Sequence, residues 1–192
     1  MMLRVQLSAF PRKAVLLALL MLAGCKPPAA DHYVERIAIA ERQAPSPPIA
    51  SPDSTGAVWA PSAQNPGRLL YGKPGNPPLF ALECRVSRGT AALVYTRYAL
   101  ADRDAQAILA LIGNGHVERF KIDAARDGSA WLWRGSADPR DDRLDVLTGS
   151  HRVEATVPGA GSLILNASPL PGELIRQCRA RSPQPATPAT PE

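Results

Sequence analysis

Cysteine is scarce in this chain, with three among 192 residues, and no two of them stand in a CxxC pair. That absence argues against a thiol redox centre and against a cysteine-rich zinc site. The three histidines, His32, His116 and His151, are scattered, so no ligand spacing for a metal emerges. No GxSxG, no HExxH and no glycine-rich loop closing on a lysine occurs. The common hydrolase and nucleotide-binding signatures are therefore missing, and no cofactor is expected. A surplus of charge is also lacking. The formal charge is +5, but Arg4, Arg12 and Lys13 fall in a leading segment free of acidic residues, leaving 22 − 3 = 19 basic against 17 acidic. A balance that even carries no electrostatic footprint for nucleic acid, and no such partner is expected. Finally, no apolar run reaches the roughly 20 residues that a membrane-spanning helix needs.

Proline is present in excess, at 20 residues, about twice the ordinary usage of roughly 5%. The prolines crowd residues 27–78 and the stretch after Ser182. Residues 25–56, punctuated by Pro27, Pro28, Pro45, Pro47, Pro48 and Pro52, read as a disordered, extended tether. Within it, Asp31 to Gln43 places Val34, Ile37 and Ala38 at helical spacing behind a capping aspartate, a short helix that is marginal alone. Residues 182–192 alternate proline with small and polar residues and are expected to be disordered.

The amino terminus has three parts with three physical roles. Arg4, Arg12 and Lys13 supply positive charge, Ala14 to Ala23 forms a short apolar run, and Leu22-Ala23-Gly24-Cys25 follows. The run suits the core of a signal peptide better than a permanent span. Leu22 to Cys25 resembles the lipobox of bacterial lipoproteins at all four positions. The resemblance implies a signal peptide over residues 1–24, cleavage before Cys25, and a diacylglyceryl group on the Cys25 thiol. It also implies acylation of the new terminus, with palmitate among the expected chains. Two or more acyl chains anchor a protein stably where one does not. Lys26, in place of the aspartate that favours inner-membrane retention, implies the outer membrane, with the protein facing the periplasm.

Export would put the two remaining cysteines, Cys84 and Cys178, in an oxidising compartment, where a pair forms a disulfide. Such a bond would close a loop of about ninety residues and stabilise by roughly 4–5 kcal/mol in the chain-entropy model.

Residues 57–181 carry short apolar runs split by turn signals. Phe80, Leu82, Cys84 and Val86 alternate onto one face. Ala91 to Tyr98 is rich in strand formers, and Ala107 to Ile112 runs into Gly113-Asn114-Gly115, a hairpin signal answered by Val117 to Ile122. Trp131 to Trp133, Val153 to Val157 and Leu163 to Leu165 read as further strands, and Val58-Trp59 and Leu69 to Tyr71 as edge strands. Pro171 to Ala180 reads as a closing helix with Leu174, Ile175 and Cys178 on one face. The fold class expected is mainly β, an antiparallel sandwich or barrel-like domain with a short C-terminal helix. The layout of an early-strand cysteine, a run of hairpins and a closing Leu174-Ile175-Arg176-Gln177-Cys178 is similar to small secreted proteobacterial β-sandwich proteins of the invasion-associated locus B type. The resemblance implies a fold and carries no activity.

Three groups of side chains bear weighing for chemistry. Asp138, Asp141, Asp142 and Asp145 form a carboxylate cluster, but interleaved Arg140 and Arg143 neutralise it and the rhythm of a calcium loop is missing, so a solvated turn is expected. His116 and His151 follow turn signals and read as exposed. Trp131 and Trp133 share a strand face and read first as core, second as a stacking platform for a ligand. The expectation is a non-enzymatic envelope lipoprotein that binds another envelope protein or serves envelope assembly. A glycan or small-molecule binding module and an enzyme with an unrecognised site are the alternatives.

Overall fold

The computed structural model describes residues 45–182. The signal segment, Cys25, the candidate helix over residues 31–43 and the tail from residue 183 lie outside the described residues.

Alternating apolar residues build nine antiparallel strands: β1 (Val58–Pro61), β2 (Arg68–Gly72), β3 (Phe80–Ser87), β4 (Thr90–Leu100), β5 (Gln106–Gly113), β6 (His116–Asp127), β7 (Ala130–Ala137), β8 (Val153–Thr156) and β9 (Ser162–Leu165). They form one sheet in the order β1-β2-β3-β4-β7-β6-β5-β8-β9. Each strand turns one set of alternate residues inward. Leu82 and Cys84 on β3, Leu93 and Tyr95 on β4, Leu109 and Leu111 on β5, and Phe120 and Ile122 on β6 fill a shared core. Of the two architectures expected, the barrel-like one is realised: a single sheet curls around this core and nearly closes. The face through Phe80, Leu82 and Cys84 is as the alternation predicts, but Val86 at its end is 49% exposed because the strand runs past the core.

The Asn-Gly step does what its chemistry demands. Asn114 and Gly115 have φ of 51° and 82°, the left-handed pair that a two-residue hairpin turn requires between β5 and β6. The Asn114 side chain then works as a clasp, its Nδ2 donating to Val146 O (2.8 Å) and its Oδ1 accepting from His151 N (2.9 Å).

The helix α1 (Leu170–Ala180) buries Leu174, Ile175 and Cys178. Proline at its start costs no hydrogen bond, because the first-turn N–H groups have no partner inside the helix. Cys178 is joined to Cys84, pinning α1 to β3. A 3-10 helix, Asp142–Leu147, lies between β7 and β8 and buries Leu144, Val146 and Leu147. The sequence predicts only a solvated turn there, because two turns of 3-10 helix are too short to leave a periodic signature.

Contacts with the barrel extend to residues before Ala57. Residues assigned to the tether lie along the barrel. Ile49 N donates to Gly159 O (2.8 Å), Ser51 Oγ accepts from Ser162 N (2.9 Å), and Ser46 donates through N and Oγ to Asp102. An extended chain without helix or strand still needs partners for its backbone, and the β8–β9 turn and Asp102 supply them. At the other end, Ser182 is held by Arg140, whose Nη2 donates to its carbonyl (3.0 Å), so the expected disorder does not include it.

Tyrosine closes the barrel where β9 meets β2. The Tyr71 hydroxyl donates to Ile164 O (2.8 Å) and accepts from Asn166 N (3.0 Å), and Asn166 Nδ2 donates to Ala57 O (2.8 Å). Burial raises the Tyr71 pKa, so the hydroxyl keeps its proton. Tyr71→Phe strands the Ile164 carbonyl and the Asn166 N–H together. It is expected to cost about 2 kcal/mol in urea unfolding; an unchanged midpoint would show that the closure does not depend on this hydroxyl.

Candidate functional site

The tryptophans expected to share a face do not make an open platform. Trp133 is 7% exposed and belongs to the core, opposite Arg97 on β4, while Trp131 stands half-buried at the strand's beginning. The core reading holds for Trp133; Trp131 is not among the core residues. His116 is exposed beside Glu118, with Nδ1 3.8 Å from Oε1. His151 is also exposed, and its backbone N–H donates to Asn114. Neither imidazole makes a hydrogen bond with a hydroxyl among the described residues.

The carboxylates of residues 138–145 are occupied with structure. Asp141 caps the 3-10 helix by accepting from Arg143 N (3.0 Å) and also grips the Arg143 guanidinium, with Nη2 2.6 Å from Oδ2. These hydrogen bonds hold the Asp141 pKa below the ordinary carboxylate value. Arg143 continues across Phe120, 4.9 Å above its ring, and donates to Arg119 O (2.9 Å). Asp145 pairs with Arg179 of α1 at 2.8 Å, and Asp138 accepts from Arg140 N (2.9 Å). No group of three or more potential metal ligands gathers among the described residues.

Arg97 is the residue whose burial the sequence did not signal. It is 2% exposed, with Nη1 donating to Leu79 O (3.0 Å) and Nη2 to Ala160 O (3.2 Å). Burial lowers its pKa, yet guanidinium stays charged at any ordinary pH. It plugs one end of the barrel, tying β4 to the β8–β9 turn. A cation on a strand ordinarily faces water; here the β4–β7 ladder also shifts register between Arg97 and Leu100.

A shallow concavity lies where the sheet comes apart. β6 and β7 pair from Asp127↔Ala130 back to Asp123↔Arg134, and there the ladder ends. Beyond it, β6 runs with β5 and β7 with β4. Tyr95 fills the split from inside. Its ring lies against Gly135, and its hydroxyl donates to Lys121 O at 2.7 Å, a carbonyl the ladder has left behind. Burial pushes the Tyr95 pKa up to about 12, so it remains a donor. Arg143 does the same further along by donating to Arg119 O. On the outer face the split opens a shallow groove of about 350 Å³, lined by Val94, Gly135 and Ala125 with Lys121, Asp123 and Arg134. Arg85 and Ser136 complete its rim.

Its charges are unequally satisfied. Arg85 shares Glu83 (3.3 Å), and Arg134 reaches Asp127 (3.0 Å) and Thr96 Oγ1 (3.4 Å). Lys121 has no ion pair within reach among the described residues, and Asp123 Oδ1 is buried with no hydrogen-bond partner in the chain. Sequence reasoning missed this site. Lys121 and Asp123 alternate on the outer side of β6, a visible signal, but Arg134 joins them only through a pairing that no sequence pattern announces.

The comparisons with known proteins leave the site to its own geometry: no family model, curated protein or solved structure matches the chain.

Proposed function

We propose that the chain is a lipid-anchored envelope protein whose barrel-like domain is a non-catalytic binding module for another protein. The observation that carries the anchor is the set Leu22-Ala23-Gly24-Cys25 behind a short apolar run. The bond between Cys84 and Cys178 supports an exported, oxidising setting, since such bridges are rare where thiols are kept reduced. The binding role draws support from the outer face of the β5–β6 hairpin. Ile112 and Val117 stand opposite each other there at 46% and 55% exposure, with Ile108 at 44% on the same side. Large apolar residues gathered on one face of a sheet suit contact with a partner.

The anchor is tested directly. Cys25→Ala is expected to accumulate unprocessed precursor and to abolish incorporation of radiolabelled palmitate. A normally matured, labelled variant would refute it. For the partner, crosslinking from the Ile112 and Val117 positions in intact cells is expected to trap an envelope protein that crosslinkers placed at Arg103 do not; equal trapping from both places would remove the hairpin from consideration.

A further inference from the structure

Asn114 carries a chemistry besides its clasp. An asparagine followed by glycine can cyclise on its own backbone, because the glycine N–H has no neighbouring Cβ to keep the side-chain amide away. We infer that Asn114 is the chain's site of spontaneous deamidation, that the clasp to Val146 and His151 holds the reaction back, and that the product cannot close the clasp again.

The sequence has three other asparagines. Asn65 and Asn76 precede prolines, whose nitrogen has no hydrogen to give up. Asn166 precedes Ala167, which carries a Cβ, and its Nδ2 donates to Ala57 O (2.8 Å) and Ser54 O (3.3 Å). Asp127-Gly128 has a similar form, but its carboxylate is paired with Arg134 (3.0 Å), and a carboxylate is a poor target for an amide nitrogen. Asn114 alone joins a side-chain amide to a following glycine, and Gly115 is exposed to water.

In the reaction the Gly115 backbone N bonds to Asn114 Cγ and the Cγ–Nδ2 bond breaks. Nδ2 leaves as ammonia, with the proton that Gly115 gives up. Water then opens the imide ring at either carbonyl. Cleavage at Cγ leaves aspartate, and cleavage at the backbone carbonyl leaves an isoaspartyl link running through Cβ. Nothing is oxidised or reduced, and solvent water is the only co-reactant.

The folded turn keeps these atoms from meeting. Asn114 and Gly115 both hold left-handed backbone, and the amide is held at both ends, Nδ2 by Val146 O and Oδ1 by His151 N. Ring closure needs the side chain to swing back over its own backbone, so both bonds must break first. Gly149 lies so close that a Cβ on it would stand 2.1 Å from Asn114 Cγ. After reaction the loss is one-way. A carboxylate has no donor for Val146 O, so two acceptors would face each other where a 2.8 Å hydrogen bond stood. An isoaspartyl link also lengthens a turn whose register allows two residues only. The segment Asp142–Leu147, which buries Leu144, Val146 and Leu147, loses its tie to the hairpin.

This chemistry depends on neither the lipid anchor nor the apolar hairpin face. The full chain in detergent is incubated at mildly alkaline pH beside a synthetic peptide of Ala110 to Glu118, and both are followed by peptide-mapping mass spectrometry. Deamidation is expected first at Asn114, as aspartyl and isoaspartyl forms. Its rate is expected to be about thirtyfold below that of the peptide, the protection that two side-chain hydrogen bonds of ordinary strength supply. Across sub-denaturing urea the rate is expected to rise in proportion to amide exchange at His151, whose N–H the same opening releases. Gly149→Ala, which crowds the amide out of its clasp, is expected to raise the rate about tenfold or more. Asn114→Asp is expected to speed exchange across Asp142–Leu147 and to leave β3 and β4 unchanged. Equal rates in chain and peptide, earlier deamidation at Asn166, or a rate indifferent to His151 exchange would each overturn the inference. So would a folded Gly149→Ala protein that reacts no faster, or an Asn114→Asp protein that protects Asp142–Leu147 as the parent does. Where Gly149→Ala does not fold, the urea series decides.

Discussion

Removing the bond between Cys84 and Cys178 is expected to cost the domain about 4–5 kcal/mol, the loop-closure value for a bridge across a separation of 94 residues. Small domains hold only about 5–15 kcal/mol in total, so the loss takes about a quarter of it or more. The structure explains why the effect should concentrate at one place. Both sulfurs are buried, and α1 is an 11-residue helix, a length that is marginal without tertiary support. Its apolar face, Leu174 and Ile175, would still pack, but nothing covalent would hold it against β3. In the Cys84→Ala/Cys178→Ala protein, the urea midpoint should fall steeply. Amide exchange over Leu170–Ala180 should accelerate more than exchange in β5 and β6. A midpoint within error of the parent would mean that packing alone secures the helix.

Gly135→Ala is the substitution expected to do most damage for its size. A Cβ at that position would stand 2.3 Å from Lys121 O and 2.3 Å from the Tyr95 ring. Neither neighbour can yield cheaply. Lys121 O is backbone, and the Tyr95 ring is fixed by its own hydroxyl bond to that same carbonyl. The strands must separate or the tyrosine must leave, and overpacking of this kind costs about 3 kcal/mol. The loss should be read in urea unfolding together with near-ultraviolet circular dichroism, which reports the tyrosine and tryptophan packing. Tyr95→Phe on the parent background is expected to cost less, because it removes the hydroxyl bond but keeps the ring over Gly135. If Gly135→Ala were neutral, the split between β6 and β7 would have to be wider and softer than its geometry states.

These expectations rest on features of very different legibility. The alternation of Phe80, Leu82 and Cys84 could be read directly because a strand repeats every two residues, and burial on one side selects one parity. Asn114-Gly115 was equally plain, since few other residues accept the left-handed backbone a tight hairpin turn requires. Val86 and the Asp142–Leu147 turn were harder, because each lies where a local pattern stops and only neighbours decide exposure. The contacts that residues 46–51 make with the barrel were illegible for a related reason. Composition marks a proline-rich segment as unable to build its own core, but says nothing about whether a barrel offers it partners, as Gly159 and Asp102 do.

What the chain's order of residues decided alone was therefore local: which segments become strands, where the β5–β6 hairpin turns, and that the final helix carries Cys178 on its apolar face. Those follow from φ/ψ preference and periodicity within a few residues. What only the tertiary structure decided is the placing of β4 beside β7 and of β8 beside β5, with the split that follows at Asp123 and Arg134. That placing also buries Arg97 among carbonyls and leaves Lys121 and Asp123 facing a groove. The physical reason is that strand neighbours are chosen by packing over the whole core, where one backbone ladder can end and a tyrosine hydroxyl can finish it.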